Sequence, residues 1–232
     1  KSILYSSIFY MNINNELKGV LKTLSIDLDD RTIANINMYL DILFSWHAKN
    51  NILSTRDPSY FLKRDFFDSL SMLPYLPSGP ILDIGTGAGI PGILLAFIRN
   101  TENIVLLDRR DNAIRFLEHA KLKLCLQNVD IIKSDVNKLK MNVKPSAILM
   151  KNFSNKIISK MDLESKLCYI ISIIRNKLGF DSKIFLLSGS NMLDVNTDKE
   201  SYEVKTNSKL KVIKIETPYF QTNRYLLEIS DG

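Results

Sequence analysis

The stretch Ile81-Leu82-Asp83-Ile84-Gly85-Thr86-Gly87-Ala88-Gly89-Ile90-Pro91-Gly92 decides how this chain folds. Ile81 to Ile84 is a short, largely apolar run with β-branched residues, the pattern of a buried strand. Three glycines at alternate positions follow, so the chain turns where no side chain blocks an approaching ligand. Pro91 then suits the first turn of a helix, where its missing N–H costs nothing. A helix N-terminus beneath bare backbone attracts a negative group. Leu106-Leu107-Asp108 places a carboxylate at the end of the next strand, able to accept from two ribose hydroxyls. Strand, glycine turn, helix and distal carboxylate together describe a nucleoside site.

The glycine spacing narrows the nucleoside. A dinucleotide fingerprint reads G-x-G-x-x-G and keeps a diphosphate over the helix, whereas this chain reads D-x-G-x-G-x-G. The pattern resembles the first motif of class I S-adenosylmethionine methyltransferases, whose cofactor has no phosphate and whose glycine turn admits its amino-acid part. On that resemblance Asp83, Gly85, Gly87, Gly89, Ile90 and Asp108 are expected to contact S-adenosylmethionine. A lone glycine motif is also compatible with a tight turn that binds nothing; the two aspartates weigh against that.

At 232 residues and 45% hydrophobic content, the chain can bury a substantial core, as one large domain or a core with an appendage. Its apolar runs fall well short of the roughly 18 residues that cross a bilayer, so no membrane association is expected. Cys125 and Cys168 sit among leucines and isoleucines in helical patterns without a C-x-x-C partner, which points to reduced thiols in a cytoplasmic core. His47 and His119 lack ligand spacing, and no metal is expected. The formal charge of +6 favours polyanionic partners, although a solvated lysine-rich surface gives the same total. Position is more informative: Lys49, Arg56 and Arg64 precede the glycine turn, and Arg109, Arg110 and Arg115 follow Asp108. These six are the candidate RNA contacts.

Apolar residues at helical spacing predict two helices between Asn14 and about Lys49, the second capped by Asp29 or Asp30, and a third from Ser59 to Tyr75. The cluster Pro77-Ser78-Gly79-Pro80 marks a boundary. Residues 1–10 are read as a tail, 11–77 as an N-terminal helical extension and 78–232 as the main domain. After the boundary, apolar strands alternate with helices, the signature of an α/β fold with a parallel sheet covered on both faces. Near the end, Lys209 to Ile215 and Arg224 to Ile229 read as two strands without an intervening helix, hence an antiparallel edge. The expected fold is Rossmann-like, with a mostly parallel seven-stranded sheet.

Ligands of such sheets sit where strands end. The third strand ends at Asp135-Val136-Asn137, where Asp135 or Asn137 would accept from an adenine amino group and Val136 would cover the ring; Asp135 would serve equally as a cap for the next turn. The fourth ends at Met150-Lys151-Asn152-Phe153. Lys151 falls where a methyl acceptor or the cofactor carboxylate belongs, unless it is merely a solvated lysine after a strand. Phe153 would stack on a base or pack beneath the loop.

The segment before the glycine turn is more discriminating. Trp46, Asn51, Arg56-Asp57-Pro58, Asp68-Ser69-Leu70 and Pro74-Tyr75-Leu76 follow the order and spacing of the bacterial 16S ribosomal RNA guanine-N7 methyltransferases, the glucose-inhibited division protein B family. Asp83 through Gly92, Leu106-Leu107-Asp108 and Arg115-Phe116-Leu117 continue the resemblance. Two places depart from it: Arg64-Asp65 stands where the family usually has Arg-His, and Met150-Lys151-Asn152-Phe153 where it usually has Ser-Arg-Ala-Phe. The resemblance implies methyl transfer from S-adenosylmethionine to N7 of a guanosine in the decoding-region loop, in free RNA or a 30S particle, by a monomer. Guanine N7 is a bare lone pair, so no general base is needed, which fits the lack of an acid–base constellation. Lys151 and Phe153 are then the candidate catalytic residues. Two alternatives remain at this level: a class I methyltransferase for a protein or small molecule, and a catalytically silent module that binds RNA and cofactor.

Overall fold

In the computed structural model, which describes residues 15–141, 143–151, 161–179, 181–189, 201–204, 208–215, 219 and 224–231, Ile81–Ile84 forms the central strand β1 and all four residues are buried. β2 (Ile104–Asp108) and β4 (Ala147–Lys151) flank it in parallel, so that Asp83 lies opposite Leu106 on one side and Leu149 on the other. β3 (Val129–Lys133) pairs outside β2 and β5 (Lys183–Gly189) outside β4, again in parallel. The sheet continues antiparallel through β8 (Arg224–Asp231), β7 (Ser208–Ile215) and β6 (Ser201–Val204). Its order is β3-β2-β1-β4-β5-β8-β7-β6. The first seven strands of that order form the parallel sheet with antiparallel edge that the sequence implies. β6 adds an eighth; Ser201-Tyr202-Glu203-Val204 alternates polar and apolar residues, but over only four residues, too short a run to stand out in the sequence.

Side-chain alternation along these strands fills two separate cores. Ile81, Ile104, Leu106, Ala147, Leu149 and Phe185 face one layer, and Leu82, Ile84, Val105, Leu107, Ile148 and Met150 face the other. Helices α5 (Gly92–Ile98) and α6 (Asp111–Lys123) cover the first face together with α1 (residues 15–23) and α2 (Asp30–Asn50). α7 (Leu163–Ile171), prolonged by a π-helical turn at Ser172–Lys177, covers the second. The N-terminal helices thus pack into the same core as β1 and β2. The period-2 alternation also puts Asp83 and Lys151 on the first of these faces, with Ile81, Ala147 and Leu149. Cys168 packs against the second core, whereas Cys125 is exposed where the chain leaves α6, which corrects the expectation that both thiols are buried.

Helix α2 starts where Asp29 Oδ1 accepts from Thr32 N at 2.7 Å, and its buried side Ile36, Tyr39, Leu40, Leu43 and His47 follows helical spacing. Tyr39 Oη donates to Ala88 O at 2.7 Å, tying the helix to the glycine turn. Burial, with Asp83 and Asp65 nearby, pushes the Tyr39 phenol well above its usual value, so the group remains a donor. Tyr39→Phe is expected to destabilise the fold by about 1–3 kcal/mol in chemical denaturation, the cost of leaving the buried Ala88 carbonyl unpaired.

The third predicted helix is broken rather than continuous. α3 (Pro58–Phe61) passes through a π-helical turn at Leu62–Phe66 into α4 (Phe67–Leu70), and a 3-10 turn follows at Leu73–Tyr75. The widened turn holds Asp65, whose carbonyl accepts from Ser69 Oγ at 2.6 Å and from Lys151 Nζ at 2.8 Å. The register of this segment is therefore set by a partner on β4, which helical periodicity does not record.

Candidate active site

Asp83 is the penultimate residue of β1 and is 1% exposed. Its Oδ2 accepts from Thr86 Oγ1 at 2.6 Å and from Gly92 N at 2.9 Å, while Oδ1 has no protein partner. The first N–H of α5 is thus occupied by the chain's own carboxylate, which corrects the expectation that this helix end awaits a ligand's negative group. Pro91 stands at the N-cap, one residue earlier than a first-turn position. Burial is the main cause of a raised Asp83 carboxyl, near 6, with the two hydrogen bonds and Lys151 opposing it.

Gly85, Gly87 and Gly89 have φ of +72°, +60° and +84°, conformations that L side chains rarely adopt. Gly85 is exposed, so the bare backbone expected from the sequence does face solvent there, and Ile90 is buried beneath the turn. Gly87 N donates to Asp108 Oδ2 at 2.9 Å across the turn.

The Asp108 carboxylate is saturated. Oδ2 accepts from Gly87 N and from Arg110 Nη2 at 3.2 Å, and Oδ1 from Arg110 N at 2.9 Å and Arg110 Nε at 3.2 Å. A carboxylate offers about four lone-pair sites, and two of those taken go to a side chain that is 59% exposed. Burial raises this carboxyl, but the Arg110 contacts and Gly87 N–H outweigh it and hold it below the usual range. A ribose diol at Asp108 must therefore displace the Arg110 guanidinium. Arg110→Met is expected to bind S-adenosylhomocysteine about two- to fivefold more tightly by calorimetry, because an exposed ion pair is worth up to roughly 1 kcal/mol.

At the third strand end, Ser134 N donates to Asp108 O at 3.1 Å, which brings Asp135-Val136-Asn137 beside the same carboxylate. Asp135 is engaged as a cap: Oδ1 accepts from Asn137 N and Nδ2, both at 2.9 Å, and Oδ2 lies 3.6 Å from Arg109 Nη1. The contacts with Asn137 are the main reason its carboxyl is lowered. Val136 is buried in the second core, 7% exposed. The capping alternative is thus the one observed for Asp135.

Lys151 departs furthest from a solvated lysine. Its side chain is 5% exposed, and Nζ donates to Asp65 O at 2.8 Å and Asp65 Oδ1 at 3.0 Å. Beside it, Asp68 Oδ2 accepts from Arg224 Nε at 2.9 Å and Nη2 at 2.5 Å. Phe153 lies outside the described residues. Arg109, Arg110 and Arg115 are exposed. Asn112 Nδ2 donates to Asn50 O at 2.9 Å, joining the end of α2 to the start of α6, so the exposed Lys49 shares their rim. Arg56 is exposed beyond that junction, and Arg64 is half-buried over the Tyr60 ring. Sequence reasoning passed over Tyr39 and Arg224 and treated Asp65 and Asp68 only as motif positions. The available signal was two carboxylates within Arg64-Asp65-Phe66-Phe67-Asp68, since charges in an apolar segment need partners.

Among the described residues no three His, Cys, Asp or Glu side chains are grouped to hold a metal, and no helix is long and apolar enough to cross a membrane. The residues present fit S-adenosylmethionine: an unpartnered buried carboxylate oxygen for a cationic group, a turn with three positive-φ glycines beside it, and Asp108 at the next strand end.

Comparison with known proteins gives the family. Residues 32–218 match the GidB family, described as rRNA small subunit methyltransferase G. Ribosomal RNA small subunit methyltransferase G from Escherichia coli and that from Shigella boydii are each 27% identical over 216 residues, 93% of this chain and 97% of theirs. Among solved structures, the B. subtilis tRNA methyltransferase TrmK superposes with a TM-score of 0.52 at 13% identity, covering 71% of this chain and 65% of that one, a likeness of fold alone. The chain belongs to the rRNA small subunit methyltransferase G family and is an S-adenosylmethionine-dependent class I methyltransferase.

Proposed function

We propose that this chain methylates N7 of a guanosine in the decoding-region loop of 16S ribosomal RNA, as a cytoplasmic monomer acting on free RNA or a 30S particle. The observation that carries the reading is a buried ammonium, Lys151, on the same sheet face and at the same strand ends as Asp83, within a chain of this family. S-adenosylmethionine, when bound, supplies a methyl activated on a sulfonium. Asp83 Oδ1 meets a cationic group there, Asp108 holds the ribose once Arg110 has swung away, and the glycine turn lets both approach the backbone. Asp135, Val136 and Asn137 border the adenine end.

N7 attacks without losing a proton, so the chain's residues need only orient the two reactants; alignment of that kind can supply about 7–11 kcal/mol. Lys151 donates to guanine O6 or to the methionine carboxylate, and Phe153 stacks on the extruded base. Lys49, Arg56, Arg64, Arg109, Arg110 and Arg115 contact phosphates. Mapping N7-methylguanosine in small-subunit RNA from cells with and without the protein tests the whole reading: loss of one site supports it, and an unchanged map rejects it. Affinity for that RNA is expected to fall steeply with added salt, through counterion release. A salt-independent affinity would favour a protein or small-molecule acceptor.

A further inference from the structure

We infer that Asp65 is a positioning residue for Lys151, and that with Asp68 and Arg224 the pair forms a four-charge clasp holding the α3–α4 segment over the strand ends of the site. The inference rests on the proposed role of Lys151 in methyl transfer. Lys151 closes β4 and Arg224 opens β8, with β5 between them in the sheet, and Arg224 is in register with Gly189 at the carboxyl end of β5. Both cations therefore lie on the edge of the sheet where strands β1 and β4 deliver their functional residues. Asp65 and Asp68 stand three apart on one helical segment and meet them in turn, Asp65 on Lys151 and Asp68 on Arg224.

The contacts are buried ones. Asp68 and Lys151 side chains are 3% and 5% exposed, Asp65 and Arg224 14% and 16%. A buried pair of this kind is costly to break, because the surviving partner is left charged and unpaired. Asp65 contributes both its carboxylate and, through the π-helical turn, its backbone carbonyl, so two of the three Lys151 N–H donors are fixed and the third has a defined direction. Ser69 Oγ braces the same carbonyl. Asp65 and Lys151 are thus the two ends of one ion pair and work as a unit. A lysine carries a single point of charge rather than a fork, and here Asp65 aims that point from behind.

Two readouts test this. Reductive methylation mapped by mass spectrometry should modify Lys151 at least tenfold more slowly than the exposed Lys49, and Asp65→Asn should raise the Lys151 rate at least fivefold. In single-turnover transfer to small-subunit RNA, Asp65→Asn should lower the rate at saturation at least tenfold, with the KM for S-adenosylmethionine within twofold. Asp65→Asn combined with Lys151→Met should be no slower than Lys151→Met alone. If Asp65→Asn fails to fold, Asp65→Glu, which keeps the charge but shifts it by one methylene, carries both readouts. Equal labelling of Lys151 and Lys49, full turnover of the Asp65 variant, or losses that multiply in the double variant would each overturn the inference. If the unmodified protein transfers no methyl to small-subunit RNA, the proposed function fails, and labelling alone decides the clasp.

Discussion

Gly89→Ala is expected to remove about 2–5 kcal/mol of stability and to abolish measurable cofactor binding. Two costs add. The backbone at Gly89 has φ +84°, and a left-handed conformation costs an L residue roughly 1–2 kcal/mol. A Cβ there would also stand 2.5 Å from Ile93 Cδ1 and 3.0 Å from Leu117 Cδ2. Both side chains are fully buried and have nowhere to retreat, and overpacking of this kind costs about 1–3 kcal/mol more. Gly179 separates the two contributions. Its φ is +67°, yet nothing lies within 4 Å of a Cβ there, so Gly179→Ala should show the conformational cost alone. Equal denaturation midpoints for the two variants would mean that packing beneath the glycine turn contributes nothing. Binding fails in Gly89→Ala for a related reason: Ile90, Thr86 and the turn between them are held by the bonds from Gly89 N and Ile90 N to Thr86 O, at 2.9 and 3.3 Å, and a displaced Gly89 shifts all of them.

How much of this was legible in the sequence depended on whether an interaction was local. Asp83, the three glycines and Asp108 were readable because the site they form is built from two consecutive strand ends, and strand ends are marked by composition. The cap by Asp29 and the positive-φ Gly179 closing the α7 helix were readable for the same reason. Lys151 was visible as a position but not as a state, since its partner Asp65 is 86 residues away and is presented by a π-helical turn. For Arg224 and Asp68, 156 residues apart, the only local trace was a carboxylate in an apolar segment, and nothing near it in the sequence names the partner. Asp135 carries both of its sequence readings at once: its place at a strand end suggested a ligand contact, and a short-range bond from Asn137 N to Oδ1 makes it a cap as well. The Arg110 contact on Asp108 was equally local, two residues away, and went unread because both residues had already been assigned to separate partners.

Cofactor affinity is expected to fall about tenfold per pH unit as the solution is acidified below pH 6, and Asp83→Asn is expected to lose both that dependence and most of the affinity. The Asp83 carboxyl is raised from 3.8 to about 6, burial being the largest cause, with Asp108 adding repulsion and Thr86, Gly92 and Lys151 opposing. A group raised in the folded state binds its proton more tightly there than in the unfolded chain. Between pH 4 and pH 6 the folded form therefore holds a proton that the unfolded form has released, and stability from this group falls as pH rises across that window, by about 3 kcal/mol in all. Above pH 6 the fold carries an ionised, buried carboxylate with one unpartnered oxygen, a standing cost that a bound cationic group relieves. Binding and stability should consequently move in opposite directions: acid favours the empty fold at Asp83 and disfavours the complex. Calorimetric titration with S-adenosylhomocysteine from pH 5 to pH 8, on the natural chain and on Asp83→Asn, distinguishes this from a general effect of acid. A parallel fall in both proteins would show that Asp83 does not meet the cofactor's charge; a flat profile in the variant alone identifies the carboxylate that does.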